Sequence, residues 1–529
     1  MIGRSGGVGL AWGFPLALVA CSSSPAPGPE ALRIGASYEL AGLDPHREDT
    51  LSSSALLSNV YEPLVATDPE MKLVPRLAHT WENPDPRTWV FHLRAGVVFH
   101  DGSPFSAADV TATLERIRGD TGLEMRKKLS GVEDARAKDR ATIEVRTREP
   151  DRTFLQKLTG ILILPRGSPE GLAAGVGTGP YRIEAWSAAR LSLVRFDPYW
   201  GPPPAFERAE YALGLDPAAA LEALRRGRIG LAEAQGQRVS AADAVRFRIA
   251  RRESLYTRFL AFDLARPRSP GVAGRPNPFR DPRVRRALHL ALDRAALAAR
   301  LSTDAVPASQ PVPRFVFGFH PGLPEPSHDL ARARELLREA GLPGGLDAVL
   351  HTRNILEEPA RLVAEELAAL GVRLRVEALP DADFFEGLRR GDASLWLDRV
   401  ACISGDAYEF FADFLHSRDA ERRLGSSNDF GLADPELDRG IERIAEIEDD
   451  LERRDALNRL MARVMEELPV LPLFVDRDVY VYDPRLGFAP RYDGEIRAYE
   501  VGRAGASSVS GQAARALSAK RDARNGQRS

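Results

Sequence analysis

Side chains that could carry out catalysis are scattered along this chain rather than grouped. The nine histidines include no pair at the i, i+4 spacing that would place two imidazoles on one helix face. The sequence shows no zinc motif, paired-cysteine site or nucleophile elbow. The glycine-rich run at residues 177–179 lacks the Lys-Ser/Thr ending of a phosphate loop, and Pro180 offers no backbone N–H. We therefore predict a protein without catalytic residues, cofactor or metal.

Two places in the chain carry groups suited to binding. A ligand cleft needs apolar walls and a few polar groups, and a peptide needs an anion for its amine and an arginine for its carboxylate. Arg353 ends a predicted strand and could supply the arginine, although it could equally be a surface arginine. Trp396 is followed by Asp398 and Asp406, which could supply the anion. Trp396 could stack on a ligand or pack in the core.

Hydrophobic patterns predict a mixed α/β frame for these residues. Trp89, Phe91 and Leu93 alternate with more polar neighbours, as in a half-buried strand. Ser106 with Asp109 three residues on predicts a capping box and a helix start. Further strands are predicted at residues 31–35, 142–146, 258–264, 372–376 and 470–482, and further helices at residues 281–295, 330–340, 361–370 and 434–467, the last with a break near residues 451–454. The alternation of helices and strands indicates an α/β protein.

The composition is that of an ordinary globular chain, long enough for two lobes. Its 529 residues are 44% hydrophobic and 28% charged. A formal net charge of −3 and a pI near 6.4 give no indication of a nucleic-acid partner. Cys402 is the single cysteine in the body of the chain, so we expect a buried or partly buried thiol and no intrachain disulfide.

The first thirty residues predict a processed leader and a tether. Arg4 precedes an apolar stretch that is too short to span a membrane and that ends in the letters LVAC at Cys21. This ending resembles a bacterial lipoprotein signal, in which the cysteine is diacylated and becomes the new N-terminus; a plain secretory signal with a chance cysteine is the alternative. Residues 1–20 are thus the expected signal peptide, and residues 21–30, rich in Ser, Pro and Gly, the expected flexible tether.

Several longer stretches closely resemble one protein family. The matching motifs are YEPL at residues 61–64, FHLRAGVVFHDGSPFSAADV at residues 91–110, GTGPY at residues 177–181, YWG at residues 199–201 and NPFRDPRVRRALHLALDR at residues 277–294. In this order they resemble the large solute-binding proteins of peptide and nickel ABC importers, solute-binding family 5. The resemblance extends over residues 32–501, nearly the whole of the mature chain.

The resemblance implies a bilobal periplasmic-binding fold of type II, from the large cluster with an extra subdomain, whose lobes are joined by a β hinge. The expected divisions are lobe one at residues 31–262 and 477–503, with the extra subdomain at residues 61–177, and lobe two at residues 263–476. The hinge would lie where two strands cross, near Phe262 and Asp476. Residues 504–529 contain no aromatic residue and are an expected disordered tail.

The resemblance also implies a function. Such a protein captures a peptide or a similar small solute between its lobes and delivers it to a membrane permease that is driven by an ATPase. It would be a monomer in the periplasm or at the cell surface, anchored to the membrane through a lipid at Cys21. A lipoprotein that senses or presents a ligand without transport is the alternative. A hydrolase would need a nucleophile–base pair, and a transcription regulator would need an N-terminal DNA-binding segment where the leader lies.

Two candidate ligand-binding residues follow from the resemblance. In dipeptide-binding members of the family, an arginine at the strand end corresponding to Arg353 holds the ligand carboxylate. The family also carries an LDP turn near its ligand cleft, and this chain has the same letters at residues 43–45. Tyr38, a few residues before that turn, is therefore a further candidate for ligand contact.

The amine-binding motif of the family is altered in this chain. In the family a tryptophan is followed by two aspartates, and the first binds the amine of the peptide. Here Asp398 is one residue too close to Trp396, an insertion follows, and no proline follows Asp406. The choice between Asp398 and Asp406 stays open, and Arg399 or Cys402 could face the cleft instead. The resemblance therefore predicts the fold, but this altered motif argues against a standard peptide as the ligand.

Overall fold

Helices and strands alternate through most of the chain, which confirms the predicted α/β class. The structure is a computed structural model that describes residues 31–167, 175–237, 239–272, 276–422 and 424–505. The expected signal peptide, the tether with Cys21 and almost all of the expected tail lie outside these residues. Within them, no helix combines the length and apolar character needed to cross a bilayer.

The elements of the described residues are numbered in chain order. The strands are β1 (Ala31–Gly35), β2 (Val65–Thr67), β3 (Leu73–Pro75), β4 (Ala78–Asp85), β5 (Thr88–Leu93), β6 (Val132–Ala137), β7 (Thr142–Thr147), β8 (Tyr181–Ser187), β9 (Arg190–Arg195), β10 (Arg208–Ala212), β11 (Leu231–Glu233), β12 (Arg248–Phe262), β13 (Ala305–Pro307), β14 (Leu346–Arg353), β15 (Val372–Leu379), β16 (Leu395–Ala401), β17 (Val470–Tyr482), β18 (Leu486–Gly487) and β19 (Gly502–Arg503). The α-helices are α1 (Leu51–Leu57), α2 (Ala107–Gly119), α3 (Phe154–Leu158), α4 (Pro217–Arg225), α5 (Ala241–Arg246), α6 (Pro282–Ala291), α7 (Arg294–Arg300), α8 (Leu330–Glu339), α9 (Glu357–Ala368), α10 (Asp381–Arg390), α11 (Ala407–Phe410), α12 (Pro435–Glu446) and α13 (Asp450–Glu467).

Capping residues begin helices where the sequence predicts them. Ser106 and Asp109 form the capping box of α2, in which the Asp109 carboxylate accepts the Ser106 backbone N–H at 2.8 Å. Asp281 accepts the backbone N–H of Arg283 at 2.9 Å at the start of α6, and Pro282 occupies the first helical position. Both helix starts are therefore determined by local sequence.

Two helix boundaries differ from the prediction, because aspartates start new helices. The predicted helix from residue 281 to residue 295 ends at Ala291, since Asp293 caps the separate helix α7 by accepting the backbone N–H of Ala296. The long helical region after residue 434 breaks at residues 447–449, earlier than predicted. Asp449 causes this break, because its carboxylate accepts two backbone N–H groups as the N-cap of α13.

One mixed sheet runs through most of the described residues. Its strand order is β15-β14-β16-β12-β17-β11-β1-β10-β9-β8, and β13 also pairs with β17. We call β11, β1, β10, β9 and β8 the first half-sheet, and β15, β14 and β16 the second half-sheet. The long strands β12 and β17 lie between them and pair antiparallel with each other. A separate four-stranded sheet has the order β4-β5-β7-β6.

The two long strands belong to both half-sheets. Residues 248–253 of β12 pair with residues 477–482 of β17, and β11 pairs with the same end of β17. Residues 257–261 of β12 pair with residues 470–475 of β17, and β16 pairs with the same end of β12. The register shifts at residues 254–256. The chain therefore passes between the half-sheets within two continuous strands.

Apolar cores cover both faces of each half-sheet. Leu350 and Phe474 lie in the core on one face of the second half-sheet, and Trp396 and Phe410 lie in the core on the other. Further cores flank the first half-sheet and fill the space between the four-stranded sheet and α2. Each half-sheet therefore has hydrophobic stabilisation of its own.

The buried carboxylate of Glu62 connects three of the sequence motifs that resemble the family. Glu62 accepts hydrogen bonds from the Thr178 hydroxyl at 3.0 Å, the Tyr199 hydroxyl at 2.9 Å and the Trp200 indole N–H at 2.8 Å. It also forms an ion pair of 2.9 Å with Arg76. A fully buried charge is stable when it is paired and hydrogen-bonded in this way. The motifs YEPL, GTGPY and YWG are thus held together by contacts to one carboxylate.

Replacing Glu62 with glutamine tests this dependence. The variant keeps the size of the side chain but leaves Arg76 without its partner anion, so we expect the free energy of unfolding to fall by about 3 kcal/mol. Chemical denaturation followed by circular dichroism measures the change. The matched control is Glu133→Gln, whose ion pair with Arg87 is exposed and whose effect we expect to be below about 0.5 kcal/mol. Equal losses in the two variants would contradict the role of Glu62.

Candidate ligand-binding site

Ionisable side chains gather at the carboxyl ends of the parallel strands. In the first half-sheet, β1 runs parallel to β10 and β11, and Tyr38 and Glu233 lie at or just after the ends of β1 and β11. In the second half-sheet, β14 runs parallel to β15 and β16, and Arg353 ends β14. Ligands of open α/β sheets bind beyond the carboxyl ends of strands. This region is therefore the candidate binding site.

Two carboxylates hold Arg353. Its Nε and Nη2 donate to Asp381 at 3.0 and 2.7 Å, and its Nη1 lies 3.4 Å from Asp398 Oδ1. The guanidinium also lies 5.4 Å from the centre of the Phe385 ring. These contacts engage three of its five N–H groups, so donors remain for a ligand. The structure thus brings together Arg353 and Asp398, two of the candidates from the sequence.

Asp398 is largely buried on β16. Burial raises the pKa of its carboxyl, while a backbone N–H of Arg399 and the charge of Arg353 oppose that rise. Trp396 lies on the same face of β16 and stacks on Phe430, with ring centres 5.6 Å apart. The Trp396 side chain is 3% exposed, so it packs in the core beneath Asp398. Of the two alternatives left open for this tryptophan, the geometry matches the core position.

Asp406 makes contacts different from those of Asp398. One carboxylate oxygen accepts the backbone N–H of Tyr408 at 2.9 Å as the N-cap of α11, and the other lies 2.5 Å from Arg453 Nη1. Both members of this ion pair are buried. Cys402 is also buried, and burial raises the pKa of its thiol well above the ordinary value. Asp406 and Cys402 are therefore held inside the second half of the molecule.

Tyr38 belongs to a group with acidic residues that sequence reasoning did not identify. Its hydroxyl is buried and has no hydrogen-bond partner among the described residues. The charge of Glu233, at the end of β11, acts on Tyr38 and also on Asp478 of β17, so Glu233 lies between the other two. The signal in the sequence was the charged stretch Asp476, Arg477 and Asp478 inside the otherwise apolar strand β17. Without knowledge of the neighbouring strand, that signal did not indicate a partner.

Burial raises the pKa of both acids. The pKa of Glu233 rises to about 7, with the Ser37 hydroxyl opposing the rise. The pKa of Asp478 rises to about 8, because the negative charges of Glu233, Asp476 and Asp493 add to the effect of burial. Around neutral pH these two groups are therefore partly protonated when no cation neutralises them.

Asp476 connects the second half-sheet to the shared strands. Its carboxylate lies 2.6 Å from Arg258 Nε on β12 and 4.0 Å from Arg399 Nη1 on β16. The Arg399 guanidinium covers the Tyr256 ring at 4.2 Å from its centre. Arg399 thus lies at the junction of β12, β16 and β17.

An open cavity of about 630 Å³ lies beside β12 and β17. Its lining residues are Arg251, Arg252, Glu253, Arg314, Phe315, Arg477 and Tyr492. Phe315 stacks on Tyr492 with ring centres 3.5 Å apart, and the Arg252 guanidinium lies 3.6 Å from the centre of the Tyr492 ring. The volume is in the range of sites for small molecules.

Two half-sheets that share a pair of strands, with ionisable groups at the strand ends of both, define a bilobal binding protein. The sequence profile of the bacterial extracellular solute-binding proteins, family 5 Middle, matches residues 72–422, and the chain belongs to this family. The glutathione-binding protein GsiB of Pectobacterium atrosepticum is 28% identical over 370 residues, which are 66% of this chain and 68% of that protein.

Solved structures confirm the predicted periplasmic-binding fold. HbpA2 from Haemophilus parasuis superposes with a TM-score of 0.78 and 20% identity, over 89% of this chain and 99% of that one. The ABC transporter-associated periplasmic binding protein DppA from Helicobacter pylori, in complex with the peptide STSA, superposes with a TM-score of 0.69 and 20% identity, over 89% and 98% of the two chains. These likenesses establish the architecture, and the chemistry of the site has to be argued from its own residues.

The variant Asp478→Asn should stabilise the ligand-free protein at alkaline pH. The folded-state pKa of about 8 lies above the ordinary value of 3.8, so the folded protein binds the proton more tightly and its stability falls as pH rises between these values. Asparagine removes that loss, so the melting temperature should rise by a few degrees at pH 8 and much less at pH 4. The control is Asp455→Asn on the exposed face of α13. Lower stability of Asp478→Asn at pH 8 would contradict this account.

Proposed function

We propose that this protein is the extracytoplasmic solute-binding component of an ABC importer, which captures a peptide or a similar small solute between two lobes and delivers it to a membrane permease. The observation that carries the proposal is the pair of strands shared by two half-sheets, beside which Arg251 of one half forms an ion pair of 2.7 Å with Asp304 of the other. Two lobes connected in this way can close around a ligand through small dihedral changes in a few residues. The names of the glutathione-binding and peptide-bound relatives support a peptide-like solute.

The proposed lobes follow the divisions expected from the sequence. Lobe one comprises residues 31–262 and 477–503, and lobe two comprises residues 263–476. We place the hinge in the shared strands, where the register shifts at residues 254–256 and where Asp476 pairs with Arg258. Closure would be stabilised by any solute that contacts both lobes, since a ligand shifts a conformational equilibrium by its difference in affinity.

Arg353 and Asp398 are the proposed contacts for the two ends of a peptide. The remaining N–H groups of Arg353 would bind the terminal carboxylate, and Asp398 would accept the amine. Asp398 is preferred over Asp406 because both oxygens of Asp406 already have partners. Trp396 would support Asp398 from the core, and Tyr38 would contact the solute from lobe one.

The proposed cellular setting comes from the leader. Lipidation of Cys21 would anchor the protein at the outer face of a membrane, and two acyl chains hold a protein there stably. The partners would be the permease and ATPase subunits of the importer, and the protein would act as a monomer.

A thermal-shift screen tests the class of solute. The purified protein is heated with di- to pentapeptides, sugars or nickel, and we expect peptides to raise the melting temperature, because a ligand that binds the folded state stabilises it. Stabilisation by a sugar or by nickel and by no peptide would overturn the peptide assignment. Uptake of the stabilising peptide by cells with and without the protein then separates import from sensing, since a sensor leaves uptake unchanged.

Arg353→Ala tests the proposed carboxylate contact. We expect about a tenfold or larger loss of affinity for a peptide with a free C-terminal carboxylate, and less than a twofold loss for the same peptide as its C-terminal amide. Calorimetric titration measures both. Arg373→Ala is the matched control, because Arg373 forms a comparable but exposed pair with Asp347 on the neighbouring strand. Equal losses for the acid and the amide would refute the contact.

A further inference from the structure

Two carboxylates of lobe one take no part in the contacts proposed for Arg353 and Asp398. Glu233 is directly opposite Tyr480 in the pairing of β11 with β17, and Asp478 lies two residues before Tyr480. Side chains two residues apart on a strand face the same side. Glu233 and Asp478 are therefore diagonal neighbours on one face of the sheet, a relation in which the Cα atoms lie about 7–8 Å apart.

The protein supplies few partners for these carboxylates. The Ser37 hydroxyl donates to Glu233 Oε2 at 3.2 Å. Within the described ranges, the Asp478 side chain makes no hydrogen bond and no ion pair, and the buried Tyr38 hydroxyl beside the pair has no partner either. Most of the hydrogen-bonding capacity of this group is therefore unused.

The buried arginines around Asp493 are committed to other acids. Arg491 pairs with Asp493 at 2.6 Å and with Glu500 at 3.0 Å, and Arg497 pairs with Glu495 at 2.6 Å. The charges of this network therefore compensate one another and leave Glu233 and Asp478 without a cation.

Other ionisable groups also face the pair. These groups come from all the elements that surround the two carboxylates. They are Tyr38, Tyr211, Asp476, Tyr480, Asp493, Glu495 and Arg399. Arg399 is the cation among them that opposes the rise in the pKa of Asp478, and its side chain points to Asp476 at 4.0 Å. The surroundings are thus predominantly acidic.

An acidic pair of this kind costs folding free energy, because burial disfavours ionised carboxylates. It contrasts with Glu62, whose buried charge has an arginine and three hydrogen-bond donors. Groups that burial and like charge perturb inside a cleft are typical of functional sites. A ligand that supplies positive charge and N–H donors would remove the cost.

We propose that Glu233, Asp478 and Tyr38 form a subsite for a cationic group of the solute, an ammonium or a guanidinium. The inference rests on the proposed function, since the solute must enter between the lobes to reach it. The two carboxylates would accept N–H donors from the cation, and the Tyr38 hydroxyl oxygen would accept another. Gly494 keeps the approach open, because a Cβ at this position would lie 3.2 Å from Asp478 Oδ2.

An organic cation fits this group better than a metal ion. The described residues contain no cluster of three metal-ligating side chains. Metal ions in proteins usually require more ligands than two carboxylates, whereas an ammonium or a guanidinium is satisfied by a few hydrogen-bond acceptors.

Matched peptides test the subsite by calorimetric titration. At each position of a trialanine peptide, one residue is replaced by lysine or by norleucine, which is similar in length but uncharged. We expect the best lysine peptide to bind about tenfold or more tightly than its norleucine counterpart, because charge-assisted hydrogen bonds are the strong ones. Glu233→Gln and Asp478→Asn should each reduce that ratio to below about threefold. The exposed neighbour Glu39 provides the control Glu39→Gln, which should keep the ratio.

The dependence on pH gives a second readout. A bound cation favours the ionised carboxylates, so binding releases protons, and affinity falls as pH drops below the pKa values of about 7 and about 8. We expect the lysine peptide to bind about tenfold or more weakly at pH 6 than at pH 8, and the norleucine peptide to change less than twofold. A pH dependence shared by both peptides, or a lysine preference unchanged in both variants, would overturn the subsite.

Agmatine separates this inference from the proposed function. It carries a guanidinium and an ammonium but no carboxylate, so it needs neither Arg353 nor a peptide backbone. At 10 mM and pH 8 it should raise the melting temperature of the wild-type protein but not that of the Glu233→Gln/Asp478→Asn double variant. If no peptide binds, the peptide function fails, and agmatine still decides the subsite. Equal responses of the two proteins to agmatine, or a response to nickel alone that the double variant loses, would overturn the cation subsite.

Discussion

The rest of the structure depends on the antiparallel pairing of β12 with β17. Each strand spends one half of its length in each half-sheet, so every route of the backbone hydrogen-bond network between the half-sheets runs through this pair in the described residues. The register shift at residues 254–256 interrupts regular pairing where the two halves meet. The proposed hinge lies at this irregular step, between the regular pairing of the two half-sheets. The candidate site lies beside it, so the proposed closure around a solute would move the groups of the two halves relative to each other.

Buried charge serves two different purposes in this protein. Around Glu62 every acceptor position is matched by a donor from a neighbouring motif, so the charge stabilises the arrangement of the chain. Glu233 and Asp478 are only half-buried, and protein donors to them are nearly absent. The first pattern holds the fold together, and the second leaves free energy to be gained by a ligand. Arg353 lies between these cases, because it is paired and still has donors to offer.

Local sequence predicted the elements well where a side chain bonds to its own backbone neighbourhood. The capping box of Ser106 and the buried face of β5 follow from contacts within a few residues. The break before α7 was missed and the break before α13 was placed a few residues too late, because an aspartate inside a helical pattern can lie on the surface or start a new helix, and the pattern alone does not decide. Arg353 became a candidate through its strand end and Asp398 through the family motif after Trp396, whereas Glu233 lies in a strand of three residues that carries no such signal.

The sequence by itself determined the family, the α/β class and the positions of most helices and strands, because motifs and hydrophobic periods are local properties of the chain. Tertiary structure decided which charged groups meet. Asp398 approaches Arg353 while Asp406 pairs with Arg453, and Glu233 meets Asp478 across strands more than two hundred residues apart in the chain. Strand order and register create these contacts, and both depend on the packing of the whole molecule. The pKa of a carboxylate depends in turn on its neighbours and its burial, so the chemistry of the site follows from the three-dimensional arrangement alone.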